Sequence, residues 1–114
     1  MLWIVDSGST NHVCSSLQLL ETWENLHPDE LKLKVGNGEL VSVRARGTAR
    51  IKFHTKRFLL LQNVLYILNF SRNLISVSCL QTQFYKLNFS ISICTISRNG
   101  YQLCVAHVEQ GFMF

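Results

Sequence analysis

The residues best suited to chemistry lie near the start of the chain, where Asp6, Ser7 and Gly8 follow the apolar segment Leu2–Val5. An apolar segment of this length predicts a buried strand, so Asp6 would sit where the strand gives way to a loop. Gly8 lets the backbone approach closely without a Cβ clash, and Ser7 supplies a hydroxyl. A carboxylate held this way can act as a general acid or base. The same three residues also fit an Asx or Ser turn that closes an edge strand.

Acid catalysis by carboxylates commonly uses two of them sharing a proton. The chain has one other aspartate, Asp29, in the polar stretch His27–Glu30, which is typical of an exposed turn. The segment is a poor position for a catalytic acid. The second carboxylate is therefore not supplied by Asp29.

A metal offers a different chemistry. His12 and Cys14 would share one face of a strand, where they could bind zinc with distant cysteines. The remaining cysteines, Cys79, Cys94 and Cys104, are isolated, and zinc sites usually show a second closely spaced pair. We therefore expect no metal and no cofactor, with reduced, partly buried thiols.

The length and the composition of the chain are those of a single folded domain. The chain has 114 residues, 47% hydrophobic and 16% charged, which argues against disorder and favours an apolar partner surface. No apolar run approaches the roughly 18 residues of a membrane span, so no membrane contact is expected. The net charge of +4 comes largely from Lys32–Arg57, which we interpret as a solvated strand face. No nucleic-acid motif accompanies it, so nucleic acid is not an expected partner of this domain alone.

The patterning is that of a β protein. Leu31–Val35 alternates with period two, and alternation resumes over Leu40–Arg44. Between them, Gly36, Asn37 and Gly38 predict a hairpin, because Asn-Gly favours a type I′ turn. A second hairpin turn is predicted at Asn99-Gly100. Further strands are predicted at residues 48–53, 58–67, 84–96 (bent) and 101–105.

Two short helices are predicted to accompany the strands. Ser15 and Gln18 have capping-box spacing before an apolar stripe that runs to Trp23. Asn73 is predicted to cap a helix over Leu74–Leu80. The fold expected is a small, mostly antiparallel β-barrel with one or two short helices, forming a single domain over residues 1–114.

Four segments together resemble one family, the protease region of Ty1/copia-type retrotransposon Pol polyproteins. Trp3–His12 (WIVDSGSTNH) is similar to its acid-loop motif, and Val35–Gly38 (VGNG) to its hairpin. Leu61–Ile67 (LQNVLYI) and Asn73–Val77 (NLISV) resemble its later strand and helix segments. The motifs fall in the family's order, so the set is far more specific than any one of them.

The resemblance implies a retropepsin-like aspartic protease barrel that processes a Gag-Pol polyprotein. Each protomer of a homodimer would contribute one loop of Asp6, Ser7 and Gly8, which supplies the second carboxylate. Gly36–Gly38 would close as a flap over the peptide substrate. The implied location is the cytoplasm or virus-like particles, and Phe84–Phe114 resembles the part of the polyprotein that leads towards integrase.

A non-catalytic reading stays open beside it. Retropepsins carry a glycine-containing triplet before their late helix, whereas Asn69–Arg72 has no glycine. The alternative is a β-barrel relic of a retroelement that serves as a structural or interaction module.

Overall fold

The structure is a computed structural model that describes residues 2–53, 56–91, 93–108 and 112–113. It is built almost entirely of strands, which confirms the mostly β class. The strands are β1 (Trp3–Asp6), β2 (Val13–Cys14), β3 (Thr22–Asn25), β4 (Lys32–Lys34), β5 (Leu40–Ser42), β6 (Ala45–Lys52), β7 (Phe58–Tyr66), β8 (Asn73–Ser76), β9 (Lys86–Phe89), β10 (Ile93–Arg98), β11 (Tyr101–Val108) and β12 (Phe112–Met113). A 3₁₀ helix spans Leu17–Leu19, and one α-helix, α1, spans Val77–Thr82.

The main sheet has ten strands in the order β3-β6-β7-β2-β8-β1-β12-β11-β10-β9, while β4 and β5 form a separate two-stranded sheet. Most neighbours are antiparallel, but β1 pairs with β8 and β2 pairs with β7 in parallel. Within the described residues the two ends of the main sheet do not pair with each other. The mostly antiparallel pairing is as predicted, whereas the described strands form an open sheet where a barrel was predicted.

One hydrophobic core joins the two halves of the sheet. It includes Leu59 and Leu61 of β7, Ile75 of β8, Leu80 of α1 and Ile96 of β10, all of which are fully buried. Strands far apart in the strand order can share one core only if the sheet curls around it. The parallel pairing of β1 with β8 places the ends of these two strands side by side.

The two predicted hairpins both form. At the second, Asn99 and Gly100 have φ values of 55° and 80°, as a type I′ turn requires. The first differs from its predicted type: Gly38, at φ +87°, takes the left-handed conformation, and Asn37 does not have a positive φ. The Val35 N–H donates to Glu39 O and the Gly38 N–H donates to Val35 O, so Gly36–Gly38 form a three-residue loop.

Several other elements differ from the predicted ones in their bounds or type. Where a bent strand was predicted over residues 84–96, β9 and β10 are two antiparallel strands. The first helix is a single 3₁₀ turn capped by Ser16, and Trp23 lies on β3 because β3 pairs with β6. Asn73 does not cap a helix: it lies on β8, and Ser76 is the N-cap of α1.

Candidate active site

Asp6 is the last residue of β1, which lies between β8 and β12 in the sheet. Trp3 and Val5 are buried and anchor the strand, whereas Asp6, on the other face, is half-buried. The parallel register pairs Asp6 with Ser76 at the end of β8. The acid therefore projects from the end of a well-packed strand, as the sequence predicted.

The Asp6 carboxylate closes its own loop. The Gly8 N–H donates to Asp6 Oδ1 at 2.8 Å, and the Ser9 N–H donates to Asp6 O at 3.4 Å. A Cβ at Gly8 would lie 3.3 Å from Oδ1, so glycine permits this close approach. In the described part of the chain, no group donates to the second carboxylate oxygen, Oδ2.

Ser7 stands apart from this arrangement. It is exposed, and among the described residues its hydroxyl has no hydrogen-bond partner. Its predicted role is to brace two copies of the loop against each other. That role requires a dimer, so it stays a prediction.

Ser76 ties the loop that follows Asp6 to β8 at two points. The Ser76 N–H donates to His12 Nδ1 at 2.9 Å, and the Ser76 hydroxyl donates to Ser9 O at 2.7 Å. The same oxygen accepts from the Cys79 N–H at 3.2 Å, which caps α1. A single fully buried serine thus joins the acid loop, β8 and the start of α1.

His12 is fully buried. Because Nδ1 accepts from Ser76, the neutral ring carries its proton on Nε2. Burial lowers the pKa of His12 from 6.5 to about 4, which keeps the ring neutral near pH 7. Nε2 is itself buried, and no described residue accepts a hydrogen bond from it.

Asn73 anchors the other end of β1. Its Nδ2 donates to Leu2 O at 3.0 Å. Its Oδ1 accepts from the Ser15 N–H at 2.9 Å and the Ser15 hydroxyl at 3.0 Å. The predicted capping residue is thus a cross-link between β1, β8 and the segment after β2.

The structural roles of these buried polar residues were not predicted from the sequence. His12 was considered as a zinc ligand and no metal was expected there, Asn73 was predicted to cap a helix, and Ser76 was not singled out. The available signal was that all three belong to two of the four segments that resemble one family. Their pairing depends on parallel strands that no local pattern reveals.

The hairpin β4–β5 faces the Asp6 loop across a cleft of about 390 Å³. Of the six predicted site residues, Asp6, Gly8, Gly36 and Gly38 line this cleft, while Ser7 and Asn37 do not. Asn37 instead stabilises its own turn by accepting from the Glu39 N–H at 2.9 Å. The remaining lining residues are Ser9, Thr10, Asn11, Val13, Leu33, Lys34, Val35, Phe70 and Leu74.

The cleft combines one acid with an apolar wall. Asp6 is its acidic residue and Lys34 its basic one, and the rest of the lining is apolar or neutral. A peptide backbone could contact the carboxylate while an apolar side chain packs on Leu33 or Phe70. A general acid or base beside an apolar groove suits chemistry on an extended chain.

The cysteines are free thiols, and three of them are buried. Burial raises the pKa of Cys14 and of Cys94 to about 11 and that of Cys104 to about 12, so these thiols stay protonated near neutral pH. Among the described residues, no group of three or more His, Cys, Asp or Glu side chains is placed to hold a metal ion. Nδ1 of His12 accepts from the Ser76 N–H, so that nitrogen is not free to bind a metal.

The basic side chains of Lys32–Arg57 are mostly exposed, which confirms a solvated face. Two of the arginines form ion pairs. Arg46 contacts Glu24 of β3 at 2.7 Å, and Arg50 contacts Glu21, directly before β3, at 2.8 Å. None of the helices in the described ranges is long and apolar enough to cross a membrane.

Fold and site together define a small, mostly β domain that presents one carboxylate-bearing loop to a cleft. Residues 3–85 match the family described as the Pol polyprotein, beta-barrel domain, and the chain belongs to that family. It is therefore a domain of a retroelement Pol polyprotein. No curated protein and no solved structure matches the chain.

Proposed function

We propose that this domain is the aspartic endopeptidase of a copia-type retrotransposon and that it processes Gag-Pol as a homodimer. The observation that carries the proposal is the shared cleft: the Asp6 loop and the Gly36–Gly38 hairpin line one cavity. Membership of a Pol polyprotein family supports the same assignment.

The chemistry needs two Asp6 carboxylates, one from each protomer of a two-fold dimer. At close range two carboxylates share one proton, because both cannot ionise together. The ionised group removes a proton from water, whose oxygen attacks the scissile carbonyl carbon. The protonated group donates to the carbonyl oxygen. Collapse of the tetrahedral intermediate breaks the C–N bond as the amine takes up a proton.

Neighbouring groups have defined roles in this proposal. The Gly8 N–H holds one Asp6 oxygen at 2.8 Å and leaves the other directed to substrate and water. Ser7 braces the two loops across the dimer axis. The hairpin covers an extended peptide, and its half-buried Leu33 and Val35 supply apolar contact. The substrate is a polyprotein segment, and the reaction takes place in the cytoplasm or in virus-like particles.

A second candidate is a non-catalytic structural or interaction module. It is favoured by the single acid in the cleft lining and by the hydrogen bond that ties this acid to its own loop. This reading predicts a monomer, and it predicts no dependence of any peptide cleavage on Asp6.

Cleavage of a polyprotein fragment by the wild type and by Asp6→Asn tests the proposal. We expect the substitution to lower kcat on the order of 1,000-fold or more, because it removes the shared-proton pair. Asp29→Asn is the matched control, since the Asp29 side chain is 93% exposed and, among the described residues, forms an ion pair with Lys32 alone, at 3.7 Å. It should cleave as fast as the wild type.

Sedimentation of the same samples gives the oligomeric state. A dimeric wild type whose cleavage depends on Asp6 supports the enzyme. Equal cleavage by wild type and Asp6→Asn, or a monomer with no cleavage at all, would sink it in favour of the structural module.

A further inference from the structure

We infer that Ser76 and His12 are positioning residues that hold the Asp6 loop in its reactive geometry; this rests on the proposed peptidase function. Neither residue lines the cleft, so neither would touch substrate. They act through the loop that carries the acid.

The first support is that Ser76 contacts the loop at both its middle and its end. Its hydroxyl donates to Ser9 O at 2.7 Å and its N–H donates to His12 Nδ1 at 2.9 Å. Ser9 is also the residue whose N–H closes the turn onto Asp6 O. A shift of Ser76 would therefore move the turn that holds the acid.

The second support is the register of the two strands. Asp6 and Ser76 are partners in the parallel pairing of β1 with β8. The hydrogen bonds from Ser76 to His12 and Ser9, called the brace below, therefore start directly beside the acid. Because both strands contribute buried residues to the core, the brace fixes the loop to the rigid part of the molecule.

The third support is the energetic cost that His12 carries. A buried donor without a partner destabilises the fold, and His12 Nε2 is buried with no described partner. An apolar side chain would avoid this cost but would leave the buried Ser76 N–H unpaired. Burial lowers the pKa of His12 to about 4, so Nδ1 remains an acceptor at the pH of the cell.

Ser76 also caps α1, so its effect on the loop must be separated from its effect on the helix. Ser16 offers the matched control: its hydroxyl accepts from the Gln18 N–H at 3.3 Å and caps the 3₁₀ helix. Ser16→Ala removes a serine cap without contact to the Asp6 loop.

The closing experiment measures amide exchange of Gly8 by NMR and cleavage kinetics in the same variants. We expect Ser76→Ala to speed Gly8 exchange at least about tenfold and to lower kcat roughly 10- to 100-fold with KM within about twofold, as misplaced catalytic groups do. Ser16→Ala should leave all three values at the wild-type level. Wild-type exchange and kcat in a folded Ser76→Ala would overturn the inference.

A second pair of variants decides the matter if Ser76→Ala does not fold. His12→Asn places an acceptor near the position of Nδ1 and should keep Gly8 protected, whereas His12→Leu removes the acceptor and should not. Equal Gly8 exchange in both would contradict the brace. The proposed function fails separately: if the wild type cleaves nothing, Gly8 exchange still reports whether the loop is held by Ser76 and His12.

Discussion

The two walls of the cleft are built in opposite ways. The wall that carries Asp6 is fixed by hydrogen bonds to residues distant in sequence, from Ser76 to His12 and from Asn73 to Leu2. The hairpin wall is held by hydrogen bonds between residues close in sequence, such as the one between Val35 and Glu39, and by apolar packing of Leu33 and Val41. Its strands form a two-stranded sheet separate from the main one.

This difference predicts that the two walls of the cleft need different free energies to open. Segments with few buried contacts and exposed backbone hydrogen bonds open at low free energy, whereas core strands open only with the whole domain. We therefore expect the hairpin, whose Leu33 and Val41 are only half-buried, to open at a lower free energy than the acid-bearing wall. The following predictions test whether the two walls differ in this way.

The largest contrast is expected from deleting side chains in the two walls. Ile75→Ala on β8 removes a fully buried side chain and should lower the free energy of unfolding by about 3 kcal/mol or more. Leu33→Ala on β4 removes a half-buried side chain and should cost about 1 kcal/mol. Urea titrations give both values, and equal losses would remove the contrast.

The acid-bearing wall should weaken on acidification. The pKa of His12 falls from 6.5 to about 4 on folding, so between these values the unfolded chain binds a proton that the folded chain does not. The free energy of unfolding is therefore highest above about pH 6.5. It falls by up to about 3 kcal/mol as the pH drops towards 4, because only the unfolded chain protonates His12 over this range. Urea titrations at several pH values measure this slope. His12→Asn should lack it, and an unchanged slope in that variant would assign the effect to other groups.

Hydrogen exchange compares the walls in one sample. The Ser76 N–H donates to a buried nitrogen, whereas the Val35 N–H donates across an exposed turn. We expect Val35 to exchange on the order of 100-fold faster. Similar protection at both amides would mean that the hairpin opens only with the whole domain.

The smallest effects are expected within the hairpin turn. Gly38→Ala should cost about 1 kcal/mol, because φ is +87° there and a Cβ disfavours the left-handed region. Gly36→Ala is its matched control: a Cβ there meets nothing within 4 Å, and the change should be within about 0.5 kcal/mol of neutral. Thermal unfolding distinguishes them, and equal shifts would rule out the φ argument.

Local features of this fold could be predicted from the sequence. The end of β1 at Asp6 and the Asn99-Gly100 turn follow from an apolar run and from turn chemistry, both of which act over a few residues. The same short-range turn preferences predicted the hairpin at Gly36–Gly38, although within its loop only Gly38 has a left-handed φ.

Features that depend on distant pairing could not be predicted. Trp23 fits a helical stripe, but pairing of β3 with β6 places it on a strand. Asn73 is a good helix cap by type, yet its amide is engaged by Leu2 and Ser15. The brace through Ser76 needs β1 and β8 to be parallel neighbours, which no short pattern encodes.

The long-range brace has a consequence for the order in which the molecule forms. The bond between His12 and Ser76 spans 64 residues and that between Leu2 and Asn73 spans 71. Contacts between such distant positions form late and slow folding. While the chain is being synthesised, the acid loop emerges early but cannot be fixed until β8 has followed it. The Asp6 loop therefore cannot take its final geometry until most of the domain has been synthesised.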